Sequence, residues 1–269
     1  MTSFFFRFWQ FVRFYSRAIT KYQLHSPFVF ELATTALEDK RWYYAFRDIE
    51  LVREKMLQSQ IQLHLRDYGT GRDRSATLRT LASRPSSSTR QGRMLFRLAN
   101  WANPRTMIEL GTSVGLGTMY LASGARLTRF ISLEGAPEAA QVARTNLELL
   151  GLNRHATVLD GPFETKLPEA LQSLGTLDFV FFDGNHRQAP TMAYFEQCLA
   201  HAHAGTVFVF DDMHWSAEMA KTWAQLQAHP RVTLSIDFFE LSLIFVNPDF
   251  KQKQHLYIVP AYWKIWKFL

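Results

Sequence analysis

The stretch Thr106 to Ala122, reading TMIELGTSVGLGTMYLA, constrains this 269-residue chain more than any other. Met107 to Leu110 is a short apolar run suited to a buried central strand. Gly111 opens a tight turn, Gly115 and Gly117 follow, and Thr118 to Ala122 resumes an apolar, helix-compatible pattern. Strand, glycine turn and helix in that order form the front of a nucleotide-binding βαβ unit. Glycines there let backbone approach a ligand where a Cβ would collide. The expectation is an α/β, doubly wound, Rossmann-like sheet with its ligand beyond the carboxyl ends of the strands.

The spacing narrows the ligand. A dinucleotide site wants G-x-G-x-x-G, with a pyrophosphate on the helix N-terminus. Here the pattern is G-x-x-x-G-x-G behind a carboxylate, Glu109. A carboxylate beside the turn repels a pyrophosphate and suits a ligand with an ammonium group and no phosphate, such as S-adenosylmethionine. The second strand, Phe130 to Leu133, ends in Glu134, placed where a ribose-binding acid belongs. Glu109, Gly111, Thr112, Ser113, Gly115, Gly117 and Glu134 are therefore candidate cofactor residues.

From Thr106 onward, strands and helices alternate. Strands are expected at 156–159, 177–182 and 207–210, and helices at 137–150, 191–200 and 217–228. Val232 to Phe238 and Glu240 to Val246 are strands joined by almost nothing, which requires an antiparallel pair. Carboxylates recur at the strand ends: Asp160, Asp183, Asp211 and Asp212 join Glu109 and Glu134. Asp160 and Gly161 are expected near an adenine, with Phe163 beside them, and an ordinary turn aspartate is the alternative. Asp183, Asp211 and Asp212 are hard oxygen donors on adjacent strands, the type Mg²⁺ or another divalent cation prefers. The alternative is that Asp212 caps a helix and Asp183 holds a turn. His186, three residues after Asp183, titrates near neutrality and suits deprotonation of a hydroxyl.

ELGTSVGLGT, LDFVFFDGNHR and FVFDDMHW together resemble the class I S-adenosylmethionine-dependent methyltransferases, specifically the catechol and caffeoyl-CoA O-methyltransferase branch. The resemblance covers roughly residues 93–269. It implies a seven-stranded sheet with a terminal antiparallel hairpin, S-adenosylmethionine bound through the residues above and by Asp183, and methyl transfer to a small-molecule hydroxyl. It also implies a divalent cation at Asp183, Asp211 and Asp212, although that branch has Asp-Asn where this chain has Asp-Asp. Where catechol-type enzymes hold a catalytic lysine this chain has His186, as do some sugar O-methyltransferases with an Asp-x-x-His arrangement. N-methylation of a small molecule or of nucleic acid is the competing enzymatic reading. No N/D-P-P-Y/F-like motif for base amines is present. A non-catalytic protein docking on a membrane or partner is the competing reading from another class.

Residues 1–92 read as a helical cap on a cofactor domain at 93–269. Ser26-Pro27 is a helix start for a segment running to about Glu38. A second helix is expected over 41–66, and a short one over 76–82. Breaks follow at 67–74 and 84–89, and a further helix at 94–102 leads into the first strand. Charge is uneven: residues 1–105 carry 18 Lys and Arg against 8 Asp and Glu, and the remainder 12 against 16. Nucleic acid, an anionic membrane, an acidic substrate or plain solvent could each face that surplus. The aromatic N-terminus, with Phe4, Phe5, Phe8, Phe11 and Phe14 at near-helical spacing, suits either an interfacial helix or packing on its own domain. The tail at 257–269, with Trp263, Trp266 and Lys267, suits covering a sheet edge or association, and the oligomeric state is open, a homodimer included. Arginines interrupt the N-terminal run and no small-residue cleavage site follows, which argues against a signal peptide. The single cysteine, Cys198, precludes an intrachain disulfide and fits a reducing cytoplasm.

Overall fold

The computed structural model describes residues 3–65, 73–84, 88–125 and 128–264. In chain order the first elements are α1 (Ser3–Arg17), α2 (Pro27–Leu32), α3 (Tyr44–Gln58), β1 (Gln62–Leu65), β2 (Arg74–Thr77), α4 (Leu78–Ala82) and α5 (Thr89–Ala102). The sheet domain follows as β3 (Thr106–Leu110), α6 (Leu116–Gly124), β4 (Arg129–Glu134), α7 (Pro137–Leu149), β5 (Ala156–Asp160), α8 (Phe163–Leu174) and β6 (Leu177–Phe182). It closes with α9 (Gln188–Ala200), β7 (Ala202–Asp211), α10 (Ala217–Ala228), β8 (Leu234–Asp237), β9 (Leu241–Phe245) and β10 (Gln254–Tyr257).

The main sheet runs β10-β8-β9-β7-β6-β3-β4-β5. The strands from β7 to β5 pair in parallel, and β9 lies antiparallel between β7 and β8. The doubly wound plan and its terminal hairpin match the sequence expectation. The strand count does not: the sheet has eight strands rather than seven. The extra strand, β10, pairs in parallel with the edge strand β8. Its residues alternate weakly and have a neighbour on one side only, so periodicity gives it little signal. Beyond it, Ile19 N–H donates to Tyr257 O at 2.8 Å and Val259 N–H to Ile19 O at 3.0 Å, tying the segment after α1 to the sheet edge.

Both faces of the sheet are covered, which is why its strands are apolar throughout. Met107, Phe179, Phe181, Val207 and Val209 face α3, α5, α6 and α7; Ile108, Leu110, Val180, Phe182, Phe208 and Phe210 face α8, α9 and α10. The first of these cores also takes in Val29, Leu32, Phe46 and Ile49, so α2 and α3 are continuous with the sheet packing.

Three local expectations change. The helix expected over 41–66 stops at Gln58, and Gln62–Leu65 pairs antiparallel with Arg74–Thr77. Buried Leu63 and Leu65 alternate with exposed Gln62 and His64, a period of two. The short helix begins at Leu78 rather than Ala76, capped by Thr77 Oγ1 accepting from Thr80 N–H at 3.1 Å. α8 has no counterpart among the expected helices, because Pro168 interrupts its pattern. Most of the breaks at 67–74 and 84–89, together with Trp266 and Lys267, lies outside the described residues.

α1 packs on its own chain through Phe14, 2% exposed, against Phe239, Tyr257 and Trp263, while Phe5, Phe8 and Trp9 stay exposed on its outer face. Among the described residues no helix is long and apolar enough to cross a membrane.

Candidate active site

The strand order reverses between β3 and β6, and ligands of open α/β sheets bind at that crevice. Gly111, at φ +108°, closes the turn there; a Cβ on it would stand 2.5 Å from the carbonyl oxygen of Asp183. Its N–H donates to Leu133 O at 2.9 Å, and Asp183 N–H donates to Leu110 O at 2.8 Å. The ends of β3, β4 and β6 are thus laced into one rim.

Beyond the rim lies a cavity of about 370 Å³, lined by Gly111, Ser113, Glu134, Phe163, Asp183 and His186. Glu134 is fixed from both oxygens, accepting Ser113 N–H at 2.6 Å and Ala136 N–H at 2.9 Å. Burial raises its pKa in spite of those bonds. Arg74 and Arg84 line the same cavity, and Arg84, its pKa lowered by burial, feels the charges of Asp183 and Glu134.

The other cofactor candidates sit behind this wall. Glu109 is 1% exposed and lies under the turn, where its Oε2 accepts from Thr118 Oγ1 at 2.6 Å and Ser132 Oγ at 2.5 Å. Desolvation pushes its pKa up to about 7. Thr112 is buried and hydrogen-bonded to Ser132. Gly115, at φ +85°, occupies the N-cap of α6 against Ala143. Gly117 lies against the Glu109 carboxylate, where a Cβ would stand 3.3 Å from Oε1. Asp160 is paired with Arg144, and Gly161 turns at φ +135° beside Lys166. None of these six lines the cavity.

Asp183, Asp211, Asp212 and His186 do come together. His186 Nε2 is 4.0 Å from Asp183 Oδ1 and 3.9 Å from Asp212 Oδ2. Burial and then the neighbouring Asp211 hold the Asp183 pKa well above the carboxylate range; burial and then Asp212 push Asp211 up to about 7. Partial burial lowers the His186 pKa against the pull of Asp212. Among the described residues no group of three or more His, Cys, Asp and Glu stands in ligand geometry as the side chains lie. The donor chemistry nonetheless suits a hard cation: the carboxylates repel one another, and buried Asp211 Oδ2 lacks a hydrogen-bond partner.

A second cavity of about 160 Å³ shares this acid cluster and is walled by Gln91, Asp211, Asp212, His214, Trp215 and Glu240, with Arg7 at its edge. Backbone strain marks both cavities. Ser113, Asn185, Asp212 and Phe239 all hold positive φ, at 49°, 53°, 58° and 73°. Each such residue costs on the order of 1–3 kcal/mol and tends to sit at functional sites. Gln91, Glu240 and Asp237 escaped the sequence reading. Asp237 ends a strand, the same signal that found the other acids; the rest carry no local mark.

Residues 108–213 match the family model described as "Methyltransferase domain". The chain is 35% identical over 127 residues to the catechol O-methyltransferase of Mycobacterium tuberculosis, covering 47% of this chain and 56% of that relative. It is 31% identical over 130 residues to the catechol O-methyltransferase of Niastella koreensis, covering 48% and 58%. The chain thus spans somewhat over half the length of these curated relatives. The crystal structure of the O-methyltransferase from Bacillus cereus in complex with SAH superposes with a TM-score of 0.55 at 21% identity, covering 81% of this chain and 96% of that one, a likeness of fold.

Proposed function

We propose that this chain, whose residues 108–213 match the family model described as "Methyltransferase domain", moves the methyl group of S-adenosylmethionine to a hydroxyl oxygen of a small molecule. The observation that carries this reading is Glu134: a half-buried carboxylate, held by two backbone N–H groups, lines a cavity of about 370 Å³ together with Phe163. That donor set fits a ribose diol and an adenine ring. Bound S-adenosylmethionine would supply an electrophilic methyl to the acceptor oxygen, the electron pair of the methyl–sulfur bond staying on sulfur.

This chain's residues position and deprotonate. Glu134 fixes the nucleoside end, the Gly111 turn sets the depth of the donor, and His186, at the mouth of the cavity beside Asp183 and Asp212, takes the hydroxyl proton. Asp183, Asp211 and Asp212 would hold a divalent cation, which would lower the pKa of that hydroxyl. The cap, residues 1–92, supplies Arg7, Ser88 and Gln91 to the second cavity and selects the acceptor.

Calorimetry with S-adenosylhomocysteine tests the cofactor half. Glu134→Ala should weaken binding by about 1.5–3 kcal/mol, as expected for lost hydrogen bonds to a charged group; unchanged affinity would remove Glu134 as the ribose ligand. Transfer of labelled methyl is assayed first on catechol, taken from the names of the relatives, and then on a wider panel of hydroxylated compounds.

A further inference from the structure

The second cavity contains a side chain for which methyl transfer by His186 leaves no task. His214 lies two residues past the acid pair, with 9% of its side chain exposed. Its Nε2 stands 2.8 Å from Asp237 Oδ2, while Asp237 Oδ1 accepts Phe239 N–H at 2.8 Å. A carboxylate is an acceptor, so the ring hydrogen belongs on Nε2 and Nδ1 is left with a bare lone pair. That Nδ1 is buried and has no hydrogen-bond partner.

The ring has little freedom to turn. Phe239 stacks on it at 4.8 Å and 15°, and Phe14 of α1 meets it edge-on at 6.1 Å. Phe239 holds φ at +73° in this position. One more buried atom without a partner, Glu240 Oε2, belongs to a residue lining the same cavity, while Gln91 and Asp211 there are within hydrogen-bonding reach of one another. Two unpartnered side-chain atoms, of His214 and Glu240, therefore border one space of about 160 Å³. Buried polar groups are almost always satisfied, so their convergence marks a binding site.

We propose that His214 Nδ1 accepts a hydrogen bond from the methyl acceptor in this cavity, with Asp237 as the positioning residue that fixes the imidazole tautomer. The chemistry defines the ligand class. Both open atoms, His214 Nδ1 and Glu240 Oε2, are acceptors, so the cavity takes a small compound presenting O–H or N–H donors. The assignment rests on the methyl-transfer reading above, but its central measurement does not require turnover.

Ring ¹⁵N chemical shifts of the full chain, with His214 assigned by its loss in His214→Asn, should show Nε2 protonated and Nδ1 bare. Asp237→Asn should reverse this, because the amide oxygen keeps the Phe239 N–H and its NH₂ then faces Nε2. With catechol as the acceptor probe, Asp237→Asn and His214→Leu should raise KM by roughly 10-fold or more, the scale of one lost hydrogen bond. Affinity for S-adenosylhomocysteine should hold in both. His214→Asn, whose amide oxygen falls near the position of Nδ1, should recover part of the loss. A protonated Nδ1 in the wild type, or an unchanged acceptor KM in both variants, would overturn the assignment. Absence of methyl transfer in a wild type with the expected tautomer would instead count against the proposed function.

Discussion

Glu109 offers a test of the electrostatics beneath the glycine turn that needs no ligand. Its carboxyl is fully buried, and its pKa is raised from 4.5 to about 7 by desolvation, in spite of the two hydroxyls that donate to it. In the folded protein it therefore keeps a proton that the unfolded chain has released between those pH values. The folded state binds more protons there, so stability falls as pH rises from 4.5 through 7 and levels off above. At 1.36 kcal/mol per pH unit the loss is roughly 2–3 kcal/mol between pH 5 and pH 8. Glu109→Gln keeps an oxygen to accept from Thr118 and Ser132 and removes the proton. Urea denaturation of both proteins across that range should give curves that converge near pH 5 and separate by pH 8, with the Gln variant the more stable. Asp211 contributes the same sign to both proteins and cancels in the difference, whereas Asp183, whose pKa the Glu109 charge also raises, cancels only in part. Parallel curves would refute the reasoning, placing the ionised form of Glu109 in a far better solvated site than its burial implies.

His186→Ala should slow methyl transfer by roughly 10²–10⁴-fold, the range of a lost general base, with S-adenosylhomocysteine affinity retained by calorimetry. Chelator should abolish activity and Mg²⁺ or Mn²⁺ restore it, with Asp183→Asn mimicking chelation in a protein whose circular dichroism is unchanged; full activity in chelator would leave His186 to act without a cation. Gly111→Ala should lower stability by about 1–3 kcal/mol from its positive φ alone, before the clash with the Asp183 carbonyl is counted, and a thermal scan reads the shift. Deleting residues 1–20 removes Arg7 from the second cavity and Phe14 from behind His214 and Phe239, and should raise acceptor KM with little change in cofactor affinity; equal turnover by the truncated protein would separate α1 from acceptor selection.

What the sequence disclosed and what it hid divide by the range of the interactions involved. The β3 turn was legible because a tight turn into a helix demands glycine at particular positions, whatever surrounds it. β6 and α10 fell at their expected bounds because apolar period and a serine N-cap are local properties. The acids at the strand ends were legible as a set, since topology alone brings the ends of parallel strands to one edge. Which of them face a ligand was not. Glu109 and Asp183 both stand near the rim, yet Glu109 turns inward to Ser132 and Thr118, 23 and 9 residues away in sequence, while Asp183 opens onto the cavity. That difference is set by cross-strand partners, to which spacing along one strand is blind. β1 was lost for a related reason: its alternation of four residues follows directly on a helix, and the hairpin partner that stabilises it lies across a break in the pattern. The second cavity was the least legible of all. Gln91 comes from α5, Phe239 and Glu240 from the turn between β8 and β9, and Arg7 from α1, so its walls are drawn from segments far apart in the chain. Its signature is energetic: unpaired polar atoms and a strained Phe239 backbone, costs that no local pattern records and that the chain tolerates only where the fold holds them in place.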